Sequence, residues 1–367
     1  MLLFLRGENI LDYSLIIKLT NACNLNCSYC YHRRDGHRNM HAHMAMETLE
    51  AMIRKLLANN TKTAEFIWHG GEPLLTGIDT FRSIVALQKR YNVNNLPIKN
   101  SVQTNGTLLT MEFIDFFIEH DFSIGISLDG PLELHAAERG TLPQEYDKIN
   151  TALRYLHTTN AKYGTLCVVT KNHIGKEQEI FDMICDLRIG CMAFLPCMVQ
   201  ANGVVDKCTT ISPEEFGTFL VNMFDIWTES TTRGLSVRNF DDCLRFFLGK
   251  RPKTCICLNI CDSYLTVLPD GEIFLCDNFC SSEEYHVGDI KTGFDSIANT
   301  APMKKMRNAM ENIPDECEGC PYFCACRGGC KYYRYAADVT MAKKQYYCES
   351  WKMLYDHVKP LMQNRGQ

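Results

Sequence analysis

Apolar, β-branched segments alternate with amphipathic helical segments through the first two thirds of the chain. Six short apolar runs predict strands, and these are Ser14–Lys18, Ala64–Trp68, Ile98–Gln103, Phe122–Ser127, Tyr163–Val169 and Met192–Leu195. Between them, apolar residues such as Met46, Leu49, Met52 and Ile53 recur at helical spacing. Strands that alternate with helices predict a parallel sheet with crossover helices, either a barrel or a doubly wound sheet.

Local signals in the sequence mark the start of one helix and, later in the chain, the start of a cysteine-rich region. Ser212 is followed by a proline and, three positions on, by Glu215, which is the pattern of a capping box at a helix start. Beyond residues 248–254 cysteines crowd together, and glycine and proline interrupt the pattern. There Tyr264–Leu268 and Glu272–Leu275 flank a Pro-Asp-Gly turn and predict a hairpin.

Composition restricts the class of protein. The chain has 367 residues, 46% of them hydrophobic and 22% charged, which is enough to build a large core. A formal net charge of −5 gives no electrostatic reason to expect a nucleic acid or an anionic membrane as partner. No apolar stretch reaches the roughly 18 residues of a membrane helix, and Met1–Leu5 is too short for a signal-peptide core. We therefore expect a cytoplasmic protein.

Twenty cysteines are the most unusual feature of the composition. In a small secreted protein they would indicate a disulfide framework. In a large chain without an export signal, cysteines are more often metal ligands or small buried apolar residues. The spacing of the cysteines has to distinguish these alternatives.

Cys23, Cys27 and Cys30 form a CxxxCxxC pattern directly after the first predicted strand. Three thiolates can hold three irons of a 4Fe–4S cluster and leave the fourth iron open, as catalytic zinc sites keep one open position. Active sites of parallel α/β folds lie at the carboxyl ends of strands, where this pattern stands. Zinc binding and a chance pattern are the alternatives.

Polar and glycine-rich segments follow the next three predicted strands. They are Trp68-His69-Gly70-Gly71-Glu72-Pro73, Gln103-Thr104-Asn105-Gly106 and Ser127-Leu128-Asp129-Gly130-Pro131. Paired glycines allow backbone to approach a ligand closely, and the carboxylate of Glu72 can accept a hydrogen bond from an ammonium group. Taken alone, the last two segments are more often ordinary turns.

A second group of cysteines lies in the last third of the chain. Its members are Cys255, Cys261, Cys276, Cys317, Cys320, Cys326, Cys330 and Cys348. Eight thiols suffice for two fully ligated 4Fe–4S clusters, and two structural zinc sites are the alternative. Nearby Cys257, Cys280 and Cys324 could replace a ligand, whereas the remaining cysteines show no ligand spacing.

With these motifs the chain resembles the radical S-adenosylmethionine (SAM) superfamily, in its branch with a C-terminal SPASM domain, from Ile16 to about Leu361. The resemblance implies an α/β fold, a partial (β/α)6 TIM-like radical SAM barrel followed by a cysteine-rich SPASM auxiliary-cluster domain. We expect the barrel over residues 10–235, the SPASM domain over 236–350 and a C-terminal helix over 351–367.

The same resemblance implies three 4Fe–4S clusters, one of which binds SAM through the open iron and cleaves it to a 5′-deoxyadenosyl radical. One auxiliary cluster would be held by Cys255, Cys261, Cys276 and Cys330, and the other by Cys317, Cys320, Cys326 and Cys348. The implied SAM contacts are Tyr29, Gly70, Gly71, Glu72, Pro73, Gln103, Asn105, Ser127, Asp129 and Arg139. The implied partners are a peptide or protein substrate and an electron donor such as flavodoxin or ferredoxin. Oxygen-sensitive clusters and free thiols indicate an anaerobic host.

Two subfamilies compete for the substrate. Anaerobic sulfatase-maturing enzymes are favoured by the full-length match and by Asp277, which follows Cys276 where those enzymes have a proposed base. Maturases of ribosomally made peptides, which form oxidative cross-links, are favoured by His69 and His32, which replace the Gln and Tyr typical of sulfatase maturation. The sequence favours the peptide maturase, with Asp277 and His69 as candidate catalytic residues.

Each candidate has a plainer alternative. Asp277 could simply hydrogen-bond the loop around Cys276, and His69 could be a packed residue that carries no proton. An electron-transfer or cluster-carrier protein would explain the eight C-terminal cysteines, but not the three-cysteine site with an open iron.

Overall fold

The computed structural model describes residues 12–30, 41–201, 203–232, 234–280 and 282–364, so His32 lies outside the described residues. Twelve strands occur in this part of the chain: β1 (Ser14–Lys18), β2 (Ala64–His69), β3 (Ile98–Thr104), β4 (Phe122–Ser127), β5 (Lys162–Val169), β6 (Cys191–Pro196), β7 (Gln200–Ala201), β8 (Val204–Val205), β9 (Ser236–Val237), β10 (Tyr264–Val267), β11 (Glu272–Leu275) and β12 (His286–Asp289).

Helices connect the strands and close the fold. The α-helices are α1 (Met46–Asn59), α2 (Ile78–Tyr91), α3 (Met111–Glu119), α4 (Leu132–Arg139), α5 (Pro143–His157), α6 (Glu177–Asp186), α7 (Pro213–Glu229), α8 (Arg238–Phe247), α9 (Cys255–Leu258), α10 (Ala301–Glu311), α11 (Phe323–Cys326), α12 (Lys331–Ala337) and α13 (Cys348–Asn364). Short 3-10 helices cover Pro73–Thr76, Lys171–His173, Cys261–Ser263, Asp277–Phe279, Glu283–Tyr285, Ile297–Asn299 and Asp315–Cys317.

Strands β1 to β6 lie side by side in chain order and pair in parallel. A doubly wound sheet reverses its strand order at a switch point, whereas a barrel does not. The order therefore selects the barrel of the two predicted alternatives. Strand β9 and strand β12 are the two edges of the ten-stranded sheet, so the barrel is partial.

Alternation along the strands explains the burial. In β2, Ala64, Phe66 and Trp68 are buried, while the residues between them are partly exposed. The buried face packs against helices such as α1, whose Leu49 and Ile53 belong to the same core. Side chains of a strand alternate between two faces, so His69 lies on the concave face and stands at the carboxyl end of its strand.

The predicted hairpin exists, and it belongs to the barrel sheet. Strands β10 and β11 pair antiparallel, and β10 pairs in parallel with β1, with Ser14 opposite Tyr264 and Ile17 opposite Val267. The sequence prediction placed this hairpin in the SPASM domain over residues 236–350, and that division stays a prediction. The structure joins the cysteine-rich region to the barrel by strand pairing, a non-local contact that no local pattern signals.

The C-terminal helix α13 packs along α7. Ser212 caps α7 as predicted, because its hydroxyl accepts from Glu215 N at 3.1 Å and the Glu215 carboxylate accepts from Ser212 N at 2.8 Å. Across the two helices the rings of Phe216 and Trp351 lie 6.0 Å apart. This contact fixes the end of the chain on the barrel. None of the helices described is long and apolar enough to cross a membrane.

Candidate functional site

The three-cysteine loop follows β1 and packs on the end of β2. Backbone N–H groups of Gly71 and Glu72 donate to the carbonyls of Thr20 and Ala22, each at 2.8 Å. A Cβ on Gly71 would lie 2.2 Å from the Ala22 carbonyl oxygen, and one on Gly70 would lie 2.4 Å from that of Thr20. The glycine pair therefore lets the cysteine loop approach the strand end, and its predicted contact with a ligand stays a prediction.

The thiols of Cys23, Cys27 and Cys30 lie close enough to repel one another as thiolates. The pKa of Cys27 is raised to about 11, mainly by burial and also by Cys30 and Cys23, while Arg139 opposes the increase. Burial also raises the pKa of Cys23, with Cys30 contributing. Three clustered thiols of this kind need a cation to become thiolates, so the donor set fits an iron–sulfur cluster.

Glu72 is fully buried and is held by the protein. Its Oε1 accepts from the Thr104 hydroxyl at 2.7 Å and from Leu74 N at 3.1 Å, and its Oε2 accepts from Asn105 N at 2.7 Å. Burial raises the pKa of Glu72 to about 7, although these hydrogen bonds lower it. The carboxylate thus ties the end of β2 to the end of β3, and its predicted contact with the amine of SAM stays a prediction.

Asn105 connects that network to the cysteine loop. Its Nδ2 donates to Asn24 Oδ1 at 3.0 Å and lies 3.8 Å from Cys23 Sγ, while its Oδ1 accepts from Thr107 N at 2.9 Å. An amide in this place can also stabilise a thiolate. Asn105 is therefore positioned beside the predicted cluster ligand Cys23.

Asp129, Arg139 and Tyr29 form a second buried network at the end of β4. Arg139 donates to Asp129 through Nε at 2.7 Å and through its second guanidinium nitrogen at 3.0 Å. The Tyr29 hydroxyl donates to Asp129 Oδ2 at 2.5 Å, and the guanidinium lies 5.6 Å from the Tyr29 ring centroid. Val168 N donates to Asp129 Oδ1 at 2.9 Å. Asp129 thus organises this side of the site, and a contact between Arg139 and SAM stays a prediction.

Gln103 and Ser127 meet across β3 and β4. Gln103 Nε2 donates to the Ser127 hydroxyl at 3.1 Å. A Cβ on Gly125 would lie 2.1 Å from Gln103 Oε1, so the Gln103 side chain lies over that glycine. Both polar side chains are partly exposed, and each stands at the carboxyl end of its strand, the edge to which the sequence analysis assigned these segments. Pro73 is buried at the start of the 3-10 helix after Glu72.

Cys255, Cys261, Cys276 and Cys330 form one C-terminal group. Burial raises the pKa of Cys276 well above its ordinary value, and Cys261, Cys330 and Cys255 raise it further. Burial likewise raises the pKa of Cys261 to about 11, with Cys330 contributing. The structure therefore brings together the four residues that the resemblance assigns to one auxiliary cluster.

Cys317, Cys320, Cys326 and Cys348 form the other group. Burial raises the pKa of Cys326 to about 11, and the other three thiols add to the increase. Nearby Cys324 is exposed. The interactions of Cys326 with the other three thiols support it as the ligand in preference to Cys324; exposure alone does not decide, because Cys255 of the first group is exposed too.

Two further cysteines were possible substitutes as ligands. Cys257 and Cys280 are both buried. The thiol of Cys280 contacts Asp277 Oδ1 at 3.8 Å, and Cys257 lies within electrostatic range of both Cys326 and Cys255. Each is thus enclosed by protein next to a cysteine group. A ligand role for either residue stays a prediction.

No three His, Cys, Asp or Glu side chains among the described residues converge on a point where they could hold a single metal ion. The chemistry of the donors distinguishes the alternatives better: a three-thiol set with an open position and two sets of four thiols match the ligand numbers of 4Fe–4S clusters.

Asp277 and His69 meet at a lysine that sequence reasoning missed. Lys18, the last residue of β1, places Nζ 2.7 Å from Asp277 Oδ1 and 3.4 Å from His69 Nδ1. Its side chain is fully buried, whereas that of Asp277 is 16% exposed. The only signal in the sequence was a single charge at the end of the apolar run Leu15-Ile16-Ile17.

Comparison with known families agrees with this geometry. Residues 17–184 match the model of the radical SAM superfamily, and residues 255–321 match that of the SPASM iron–sulfur cluster-binding domain. A cysteine-type anaerobic sulfatase-maturating enzyme from Clostridium perfringens is 30% identical over 361 residues, covering 96% of this chain and 97% of the relative. The chain belongs to the radical SAM superfamily, in its SPASM-domain branch.

Other relatives, and solved structures of other proteins, show the same likeness to this radical SAM enzyme. A serine-type anaerobic sulfatase-maturating enzyme from Bacteroides thetaiotaomicron is 25% identical over 95% of this chain and 90% of the relative. The solved structure of native anSMEcpe with bound AdoMet has a TM-score of 0.85 at 30% identity and covers 96% of this chain and 98% of that one. Streptococcus suis SuiB bound to its precursor peptide SuiA has a TM-score of 0.67 at 15% identity, which shows a common fold alone.

The family membership confirms the predicted fold, the enzyme class and the use of iron–sulfur chemistry with SAM. Membership also explains why the candidate site residues of the barrel lie at the carboxyl ends of β1 to β4. The comparisons favour sulfatase maturation over the peptide cross-linking that the sequence favoured, because full-length likeness extends to that group of enzymes.

Proposed function

We propose that this radical SAM enzyme is an anaerobic sulfatase-maturating enzyme that oxidises a Cys or Ser residue of a sulfatase to formylglycine. The observation that carries the proposal is the likeness over 96% of the chain to enzymes of that activity, at 30% identity. SuiB, whose structure is known with a precursor peptide, has 15% identity and is covered over only 77% of its length. The predicted peptide maturase therefore has less support.

The cysteine groups fit the clusters that such an enzyme uses. We propose that Cys23, Cys27 and Cys30 hold the cluster that binds SAM, and that the two C-terminal groups of four hold auxiliary clusters, three clusters in all. When bound, these groups would supply reductive cleavage of SAM, abstraction of a substrate hydrogen atom by the resulting carbon radical, and an acceptor for the remaining electron. We further propose flavodoxin or ferredoxin as the external electron donor.

The domain division follows the same assignment. We propose a barrel domain over residues 10–235 and an auxiliary-cluster domain over 236–350, followed by a C-terminal segment from 351 onwards; the structure starts the terminal helix earlier than predicted, with α13 at Cys348–Asn364. Although β10 pairs with β1, the cysteines of the second region all lie after residue 250.

Asp277 supports the sulfatase reaction through its place and its charge. Oxidation of Cys or Ser at Cβ removes one hydrogen atom, one proton and one electron; Ser then gives the aldehyde directly, whereas Cys gives a thioaldehyde that water converts to the aldehyde with release of hydrogen sulfide. A carboxylate can take the proton from the thiol or hydroxyl group. Asp277 is partly exposed, paired with a buried cation, and adjacent in sequence to Cys276 of an auxiliary group. We propose Asp277 as the base.

His69 has a different role in this proposal. Burial and, secondarily, Lys18 lower the pKa of His69 to about 4. At neutral pH the ring is therefore uncharged and carries a single N–H hydrogen. We propose that it donates a hydrogen bond to the substrate, and that it does not shuttle the proton.

The decisive experiment uses anaerobically reconstituted protein, a reductant, SAM and synthetic sulfatase peptides with a Cys-x-Pro-x-Arg or Ser-x-Pro-x-Arg motif. We expect an aldehyde at the Cys or Ser position, detected by mass spectrometry and by an aldehyde-reactive probe, with Cys as the preferred residue. The Ala peptide is the control and should give 5′-deoxyadenosine without aldehyde. A wild-type enzyme that cleaves SAM but leaves both motif peptides unmodified would contradict the proposal.

A further inference from the structure

Lys18 is a buried charge at the junction of the barrel and the cysteine-rich region. Its side chain has no exposed surface, and its strand neighbours Leu15 and Ile17 are equally buried. Desolvation of an ammonium group costs several kcal/mol unless a well-placed partner offsets it. A buried ion pair is thus weak evidence for stability. A lysine in this position calls for another reason.

One partner is the proposed base. Lys18 Nζ contacts Asp277 Oδ1 at 2.7 Å, and the Cys280 thiol contacts the same oxygen at 3.8 Å. Asp277 starts a 3-10 helix directly after Cys276, whose φ of 52° lies in the left-handed region. The sharp backbone turn and the ion pair at Oδ1 together fix the orientation of the carboxylate.

The other partner is His69. Its Nδ1 faces two donors, the Gly70 N–H at 2.9 Å and the Lys18 ammonium at 3.4 Å. The Gly70 carbonyl oxygen lies 3.1 Å from the same nitrogen, but a hydrogen on Nδ1 would oppose both donors. Nδ1 is therefore the acceptor, and the hydrogen of the neutral ring resides on Nε2.

We propose that Lys18 is a positioning residue that fixes the Asp277 carboxylate and the Nε2–H tautomer of His69 in one arrangement. A substrate residue at the ends of β1 and β2 then meets a proton acceptor and a hydrogen-bond donor in constant positions. This inference rests on the proposed function, because it places the substrate residue of that reaction against the Asp277 carboxylate and the His69 ring. Lys18 itself touches neither substrate nor cofactor in this scheme.

The test replaces Lys18 in the reconstituted holoenzyme. Lys18→Met should retain SAM cleavage, but the yield of formylglycine per 5′-deoxyadenosine should fall by about 100-fold, since small misplacements of reacting groups have effects of that size. Affinity for the Cys motif peptide, measured by calorimetry in the presence of SAM, should weaken as well. Lys18→Arg keeps the charge and a donor and should recover most of the yield.

Two controls separate positioning from general damage. Lys162→Met removes a lysine from an exposed ion pair with Asp121 and should change neither yield nor affinity. If Lys18→Met does not fold, Lys18→Gln, which retains a donor without the charge, takes its place. In either variant we expect a yield well below that of the wild type.

A crystal structure of the variant provides a readout that is independent of turnover. In Lys18→Met, or in Lys18→Gln if Met does not fold, the Asp277 carboxylate or the His69 ring should adopt another orientation, and in Lys18→Arg both should keep theirs. Unchanged orientations with an unchanged yield would overturn the role of Lys18 and leave the proposed function intact. If the wild type oxidises no peptide, the proposed function fails, and the side-chain orientations alone decide the role of Lys18.

Discussion

Arg139 and Asp129 form an ion pair with two contacts, 2.7 and 3.0 Å long, and the two side chains are 8% and 0% exposed. Asp129 also accepts from Tyr29 and from the backbone N–H of Val168. The pair therefore joins the cysteine loop, the end of β4 and the strand β5.

Removal of Arg139 should destabilise the protein strongly. Arg139→Met leaves the Asp129 carboxylate buried without its cation, and loss of one partner of a buried pair costs roughly 3–5 kcal/mol. Urea unfolding of anaerobically purified protein measures the change. Arg82→Met removes an exposed arginine that pairs with Asp79, and its unfolding free energy should stay close to that of the wild type. Equal stability of the two variants would contradict the importance of the buried pair.

Cys27 should be essential for SAM cleavage. Cys27→Ala deprives the three-cysteine loop of one ligand, so 5′-deoxyadenosine should disappear. Chromatography of the reaction with dithionite and SAM measures it. The matched control is Cys208→Ala, because Cys208 is exposed and belongs to none of the three cysteine groups. Continued cleavage by the Cys27 variant would refute the assignment of this loop.

Asp277 should matter for product and leave SAM cleavage intact. Asp277→Asn keeps an oxygen for Lys18 but removes the proton acceptor, and loss of a general base lowers rates by roughly 100-fold to 10,000-fold. We expect formylglycine to fall by such a factor while 5′-deoxyadenosine persists. Asp79→Asn changes a side chain that is 90% exposed and serves as the control. A variant with normal product yield would remove Asp277 from the mechanism.

Cys326 and Cys324 offer a direct comparison in the auxiliary region. Cys326 lies with Cys317, Cys320 and Cys348, whereas Cys324 is exposed. Cys326→Ala should therefore lose iron and sulfide equivalent to one cluster, and Cys324→Ala should lose none. Iron and sulfide assays after reconstitution decide between them, and the opposite pattern would exchange the two assignments.

The pH dependence of stability should include a contribution from His135. Burial, with Arg139 as a lesser cause, lowers its pKa from 6.5 to about 4. Between these two values the unfolded state binds a proton that the folded state does not, so this histidine lowers the free energy of unfolding as the pH falls. Burial raises the pKa of Glu72 to about 7, so this carboxyl group raises the free energy of unfolding as the pH falls. Because the two contributions oppose each other, the effect of His135 is measured as a difference between the variant and the wild type.

His135→Gln should therefore lose less stability than the wild type when the pH falls from about 7 to about 5. Urea unfolding at the two pH values under anaerobic conditions gives the difference. The exposed His157 provides the control, since His157→Gln should follow the wild type. An identical loss in the His135 variant would show that this ring does not titrate as expected.

Local patterns were sufficient for the strands of the barrel. β1 and β4 have the predicted bounds, and β2 extends by one residue, to His69. Period-two burial and β-branched residues determine such elements largely on their own. The cysteine groups were equally visible, because ligand spacing is a property of the sequence.

Contacts between distant segments were not visible. The pairing of β10 with β1 joins residues some 250 positions apart, and no local signal marks it. Lys18 received no functional prediction, because its partner Asp277 comes from the second region, about 260 positions away. The sequence predicted a ligand contact for the glycines Gly70 and Gly71, but it could not show that they also lie against the backbone of Thr20 and Ala22.

The single sheet that carries both regions has a consequence for electron flow. Because β10 is hydrogen-bonded along β1, the loop after β1 and the turn after β11 cannot separate without breaking strand pairs. A tunnelling path between the clusters proposed for these two loops would then keep nearly the same length throughout the catalytic cycle. Substrate arrival would change the driving force for transfer, while the span for the electron would be set when the chain folds.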